Sequence, residues 1–525
     1  MTTTHFNVTD FGAIGDGITK ATSALQNAID VCHNSGGGKV LLPAGDYLSG
    51  SIYLKSNVEL HLAAGARIVG SADLEDYNAE DIFPENIAFS SENVTARHLI
   101  IAYRQENISI TGQGTIDGNS AQLFDPLPEH ISASYRFKAG NFPIRNSRPG
   151  QMIFFCRCQN VSASDVQLVN SPYWTFFLLG CKDVQIRNIF IENPPATQNG
   201  DGIDIDCCKN VTISDCIIRS GDDSITVRGN SRKLGEGDWI CENVVVTNCI
   251  LSTPCNAIRI GVGDGHIRKV LFNNINIPDA SRGISIISLY RKTNNSHHGT
   301  RIEDIHFSDF LMDVDVPFTI DTGHGSEHPA TIDDISLRNF KIIAQAGAQL
   351  VGTSETPIGK VLFQNIDWLV HAGSENREFH DELPVPLSHH GYRGRNGGPA
   401  LPCALFATYT TNLQMDHFEL RWKIPSAVWR DGILLRNMTG VDLHNLYLSQ
   451  PQSDSGTAIS CQDVQEITIR NSRAAAGTST FLSISNTNKS TFIRHGGNDF
   501  SGAKTPLHTK ENQVILKSLR DLQDS

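Results

Sequence analysis

Asn210-Val-Thr-Ile-Ser-Asp-Cys-Ile-Ile218 and Asn243-Val-Val-Val-Thr-Asn-Cys-Ile-Leu251 decide the architecture of this chain. Each opens on Asn, alternates apolar with polar residues, is rich in Val and Ile, and meets a second Asn or Asp as the alternation ends. That pattern is a short half-buried strand closed by a turn.

The same unit recurs along the sequence. It reads NISITG at Asn107, NVSASDV at Asn160, DVQIRNI at Asp183, KVLFNNI at Lys269, DIHFSDF at Asp304 and DISLRNF at Asp334. It continues as KVLFQNI at Lys360, NLQMDHF at Asn412, GVDLHNL at Gly440 and EITIRNS at Glu466. Most neighbouring units lie about 23 to 35 residues apart, the coil length of a β-solenoid rather than of a helical repeat. No unit buries its apolar face alone, so the coils must stack to make a core. The expected fold is all-β, a right-handed single-stranded parallel β-helix over residues 1–525.

The cysteines obey the same rhythm. Cys158, Cys181, Cys208, Cys241 and Cys461 each stand two residues before the Asn or Asp that opens a unit. A residue type fixed at one phase of a repeat reads as an interior column, so the twelve Cys are expected to be small buried thiols rather than disulfides or metal ligands.

A solenoid exposes a strand edge at its end unless something covers it. Thr22 to Cys32 places Leu25, Ala28, Ile29 and Cys32 at helical spacing, and Gly36-Gly37-Gly38 stops the run. This predicts a capping helix within an N-terminal cap of about residues 1–45. Two stretches rich in Pro, Gly, His and Arg, about 124–149 and 374–402, interrupt the repeat and read as loop insertions on one face.

Composition narrows the function. A formal charge of −13 argues against binding nucleic acid through its phosphates. No run approaches the ~20 apolar residues of a membrane span. Met1 to Val8 carries neither the basic region nor the apolar core of a signal peptide, so the expected location is cytoplasmic. An oligosaccharide is the expected partner, with no cofactor and no metal.

The acids are densest in Asn199-Gly-Asp-Gly-Ile-Asp-Ile-Asp206 and Ser220-Gly-Asp-Asp-Ser224. Asp201 and Asp222 are about one coil apart, which sets the two motifs side by side on adjacent rungs about 4.8 Å apart. Crowded carboxylates repel, so at least one holds its proton at neutral pH. Glycosidic cleavage needs that division between a proton-bearing acid and a carboxylate that activates water. The competing readings are Asx-turn residues and a Ca²⁺ ligand set.

The motif around Asn199 to Asp204 resembles the NTDG-x-D motif of glycoside hydrolase family 28, the polygalacturonase family, and Gly221-Asp-Asp223 resembles its GDD. Val8 to Gly17 and Asn170-Ser-Pro-Tyr-Trp174 are similar to that family's entry and pre-catalytic segments. The resemblance covers roughly the first 290 residues. It implies Asp222 as general acid and Asp201 with Asp223 as the pair that activates water, in a single displacement with inversion. It also implies a structural Asp204, with Arg228 where the family usually carries Lys.

The chain departs from the family pattern where the substrate is held. Asn256, in Ser252-Thr-Pro-Cys-Asn-Ala-Ile-Arg259, stands at the position of the His of GHG, and Ser285-Ile-Ile287 replaces RIK. A GHG string around His324 falls further coils downstream. Without the RIK cations, a neutral sugar becomes as acceptable as a uronic acid. Arg259, Arg282, Tyr290 and Arg291 are candidates for rebuilding an anionic subsite, Asn199, Arg228 and Asn256 for further substrate contacts, and Trp174 for a sugar platform or, equally, a buried aromatic.

The expected function is therefore an exo-acting glycoside hydrolase on plant-derived oligosaccharides. The alternatives are a catalytically silent carbohydrate-binding β-helix and a lyase or fructan-processing enzyme on the same scaffold. Adjacent rungs suggest the shorter carboxylate separation of retaining enzymes, whereas the resemblance implies inversion.

Overall fold

The computed structural model describes residues 5–88, 95–124, 148–288, 299–322, 331–371, 402–423, 429–451, 456–486, 491–509 and 514–518. The segments 125–147 and 374–401 of the expected insertions, the string around His324, and Tyr290 and Arg291 lie outside these residues.

The repeat units stack as expected. Every registered strand pairing is parallel, and it joins equal phases of successive coils. Val184 pairs with Val211 and Val211 with Val244, while Ile186, Ile213 and Val246 form the neighbouring inward row. All six are at most 1% exposed. Burying a Val or Ile side chain contributes about 1.5–3 kcal/mol relative to leaving it in water, so these rows carry much of the fold's stability. The result is a right-handed parallel β-helix.

The opening Asn or Asp of each unit turns the chain. Asn107, Asn160, Asp183, Asn210 and Asn243 all adopt φ between 52° and 59°, the left-handed conformation that Asn and Asp tolerate better than other side-chain-bearing residues. Their side chains then bond along the stack. Asn160 donates to Asn107 at 2.7 Å, Asn210 to Asp183 at 2.7 Å and Asn243 to Asn210 at 2.9 Å. Inside the same corner the thiols line up. The Cys181 N–H donates to Cys208 Sγ at 3.3 Å, and all twelve cysteines are buried and unbridged, as expected.

The capping helix runs Thr22–Asn34, two residues beyond the expected Cys32. Leu25, Ala28, Ile29 and Cys32 are fully buried on its inner face, and Gly36, Gly37 and Gly38 follow with positive φ. The chain forms two compact units, residues 1–259 with 265–270, and 260–264 with 271–525. Both are built of parallel coils.

Candidate active site

Three strands of the first unit, Phe176–Leu179, Ile203–Asp206 and Ile225–Gly229, lie side by side with Phe176, Ile203 and Ile225 in register. The backbone bonds just before them extend this alignment. The Thr175 N–H donates to the Asp201 carbonyl at 2.9 Å, Gly202 to Asp223 at 2.9 Å and Ser224 to Asn256 at 2.9 Å. Trp174, Asp201, Asp223 and Asn256 therefore occupy one column across four successive coils. The register sets Asp223, not Asp222, beside Asp201.

The column is held by cations and amides. Asp223 Oδ1 accepts from the Asn256 backbone N–H at 3.3 Å and from its side-chain amide at 2.5 Å, and Oδ2 faces Arg259 at 3.3 Å. Burial alone would raise Asp223, but Arg259, Cys255 and Asn256 outweigh it and hold the carboxyl below its usual range. Arg228 forks between two acids, giving Nη2 to Asp201 Oδ2 at 3.0 Å and Nε to Asp204 Oδ1 at 2.9 Å. Thr226 also donates to Asp204 Oδ1, at 2.5 Å.

Burial acts more strongly on Asp201 and Asp204 than their partners do. It raises Asp201 well above the carboxylate range, and Asp204, Asp222 and Asp223 nearby add to the effect against Arg228. Asp204 is pushed up to about 6 by burial, against the pull of Arg228 and Thr226. At least one carboxyl of the cluster thus keeps its proton near neutrality, as charge crowding requires. Asp201 Oδ1 has no hydrogen-bond partner among the described residues.

Asp222 differs from its neighbours. It is half-buried, whereas Asp201, Asp204 and Asp223 are 0–2% exposed. Its backbone is pinned, because the Ser220 hydroxyl donates to the Asp222 carbonyl at 2.7 Å and the Thr253 hydroxyl donates to the same oxygen. Gly202 and Gly221 let these turns close. A Cβ on Gly202 would stand 2.4 Å from the Ser224 carbonyl oxygen, and one on Gly221 would stand 2.6 Å from that of Thr197. Asp222, Asp223 and Cys255 bring three donor atoms within 4.8 Å of one another. Both Asp223 oxygens are already bonded there, and a thiol is a poor ligand for a hard cation.

The other candidates separate. Trp174 is 7% exposed, with its ring stacked on Tyr173 at 5.1 Å and edge-on to Phe177. The Arg228 guanidinium lies 4.2 Å from its centroid, so Trp174 supports the cation rather than presenting an open face. Asn199 adopts φ 54° and accepts from Arg148 at 3.2 Å. Arg282 is 2% exposed and belongs to the second unit.

Arg148 was not foreseen. It is 2% exposed, donates to the carbonyls of Pro172 at 2.8 Å and Gln198 at 2.5 Å, and lies 4.9 Å from the Tyr173 ring centroid. It thereby clamps the turn that leads to Asp201. Asn193 completes that support, donating to the Thr175 hydroxyl at 2.7 Å and to the Gly200 carbonyl at 3.1 Å.

Residues 32–241 match the family model of glycosyl hydrolases family 28, a span that contains all three candidate acids. Over that span the chain is similar to glycoside hydrolase family 28, and the relatives it resembles are polygalacturonases. A probable polygalacturonase of Vitis vinifera is 29% identical over 290 residues, 53% of this chain and 56% of the grape protein. The chain thus spans just over half the length of that relative. An exopolygalacturonase of Arabidopsis thaliana is 24% identical over 388 residues, 71% of this chain and 82% of its own. The crystal structure of an exopolygalacturonase from Thermotoga maritima superposes with a TM-score of 0.56 at 24% identity, covering 70% of this chain and 87% of that one, and it supports the parallel β-helix.

Proposed function

We propose that this chain hydrolyses O-glycosidic bonds of plant-derived oligosaccharides of the polygalacturonate type, acting from a chain end and with inversion. The observation that carries the reading is the unequal treatment of the acids. Asp223 is held ionised by Asn256 and Arg259, the cluster retains a proton through burial and mutual repulsion, and Asp222 is more open than Asp201, Asp204 and Asp223. Asp222 gives its proton to the leaving glycosidic oxygen. A water molecule held between Asp201 Oδ1 and Asp223 attacks the anomeric carbon from the other side and passes its proton to Asp223. Coupled acids titrate as a set, so the proton belongs to the cluster until substrate fixes it on Asp222.

The relatives' names, exopolygalacturonase among them, favour a galacturonide and action from the end. A second reading, a neutral sugar, draws on the cations. Arg228 and Arg259 both face carboxylates of the protein itself, which lessens what they offer to a substrate carboxylate.

Matched oligogalacturonides and neutral oligosaccharides should be assayed for released reducing sugar, with the first anomer read by NMR. Turnover of galacturonides alone, with inversion, supports the main reading, and turnover of neutral substrates alone selects the second. Asp222→Asn should lower kcat by about 10²–10⁴-fold with melting unchanged, the usual worth of a positioned proton donor. A variant that keeps more than a few per cent of activity moves the acid elsewhere. Binding of every member of the panel without product would make the chain a silent binding protein.

A further inference from the structure

The second unit carries a cleft of about 450 Å³ that the acids do not use. The strands Cys403–Thr408, Asp431–Met438, Thr457–Val464 and Thr478–Ser485 run parallel, with Thr408 opposite Arg436, Arg436 opposite Gln462 and Gln462 opposite Ser485. One residue further along, Tyr409, Asn437, Asp463 and Asn486 share a single phase, and all four line the cleft. The first three adopt φ of 47°, 49° and 53°. The other three members of this column are Asn and Asp, whose short side chains suit the left-handed turn, whereas the half-buried Tyr at 409 holds it at a cost in conformational energy.

The lining states what fits. Among the described residues it holds one carboxylate, Asp463, and neither Lys nor Arg, so an anionic sugar would find no counter-charge. It offers an aromatic ring, the amides of Asn437, Gln465 and Asn486, and threonine hydroxyls, which pair with vicinal hydroxyl groups as donor and acceptor together. Thr410 forms part of the wall, and its buried hydroxyl has no hydrogen-bond partner among the described residues. At about 4.8 Å per coil, the four-residue column is roughly 14 Å long. The volume falls in the range of about 300–1,000 Å³ usual for small-molecule sites.

We infer that this cleft is a second carbohydrate subsite, separate from the acids, that takes a neutral oligosaccharide and stacks one ring on Tyr409. It gives the chain a hold on uncharged sugar residues that does not depend on the chemistry at Asp222.

The full-length protein should be titrated calorimetrically with neutral disaccharides (galactobiose, arabinobiose, xylobiose and cellobiose) and with digalacturonate. The wild type, Asp222→Asn, Tyr409→Asn and Gln465→Arg are compared. Asn keeps the left-handed turn, and Gln465 is exposed, so neither substitution at the cleft threatens the fold. The expected result is saturable binding of a neutral disaccharide that Asp222→Asn retains and Tyr409→Asn weakens at least about tenfold. Gln465→Arg should shift preference toward digalacturonate. Absence of neutral binding, binding lost in Asp222→Asn but kept in Tyr409→Asn, or tighter binding of digalacturonate at a Tyr409-dependent site would each overturn the inference.

Discussion

Asn256 donates twice to one oxygen of Asp223, through its backbone N–H at 3.3 Å and its side-chain amide at 2.5 Å. The pair lie in register on adjacent coils, so the amide meets the carboxylate without either side chain having to reach. A hydrogen bond to a charged group is worth about 1.5–3 kcal/mol. Asn256→Ala should therefore lower kcat/KM by about 10–100-fold and move the acidic limb of its pH profile upward, because Asp223 loses part of what keeps it ionised. Asn256→Asp should do more, since it sets a second carboxylate against the first. If both variants keep the wild-type pH profile, Asn256 is only a packing residue.

Arg228 is the most heavily committed cation of the site, bridging Asp201 and Asp204 beneath the Trp174 ring. Removing one partner of a buried ion pair costs about 3–5 kcal/mol, because a charge is left uncompensated. Arg228→Met should destabilise the protein by that order in urea titrations and abolish turnover. Arg228→Lys keeps the charge but not the planar fork, so it cannot hold both oxygens in one geometry. Its expected signature is near-normal KM with a kcat lowered about tenfold or more. Equal loss in Lys and Met variants would mean that charge alone is not what the site needs.

Stability should fall as the buried acids ionise. Asp204 has its usual value of 3.8 when unfolded and about 6 when folded. Between these values the native state holds a proton that the unfolded state has released, so unfolding becomes easier as pH rises. Its contribution is full below pH 3.8 and is lost as pH passes about 6; Asp201 extends the same trend upward. Asp223 acts in the opposite sense, stabilising above 3.8 and losing that effect as pH falls through its lowered folded value. Calorimetric Tm measured from pH 4 to 7 should decline, and Asp204→Asn, which still accepts from Thr226 and Arg228, should flatten the decline. A flat wild-type profile would refute the buried-proton account.

The scaffold was legible because a β-helix repeats its needs. The same corner recurs on coil after coil, so Asn160, Asp183, Asn210 and Asn243 recur with it, and Cys158, Cys181 and Cys208 mark the inner side of that corner. The acids were legible through their motifs. Their exact register was less so: spacing set the two motifs side by side, and only the backbone bonds show that Asp223 is the one of the pair in register with Asp201. Trp174 carried no sign of its burial, which depends on Arg228, two coils on, reaching a ring already packed against Tyr173 and Phe177 of its own coil. The cleft at Tyr409 was invisible for the same reason, since its column draws one residue from each of four coils.

Arg148 sits at the end of an irregular stretch with no repeat to mark it, yet it ties together the turn at Pro172 and the turn at Gln198 and Asn199. Asp201 follows two residues after Asn199, so the clamp fixes where that carboxyl enters its column. Arg148 does not touch the acids in any bond described above, and it acts as a positioning residue. Arg148→Ala leaves the buried Pro172 carbonyl and the partly buried Gln198 carbonyl without their donor, at about 1–3 kcal/mol for the buried one. The expected result is a lower urea midpoint and a kcat reduced several-fold or more with little change in KM, because substrate still binds while the attacking water is misplaced. Arg148→Lys should recover part of the stability, reaching one carbonyl but not the whole set, and less of the kcat. If Arg148→Ala lowers stability while kcat stays at the wild-type value, the clamp supports the fold and has no part in placing Asp201.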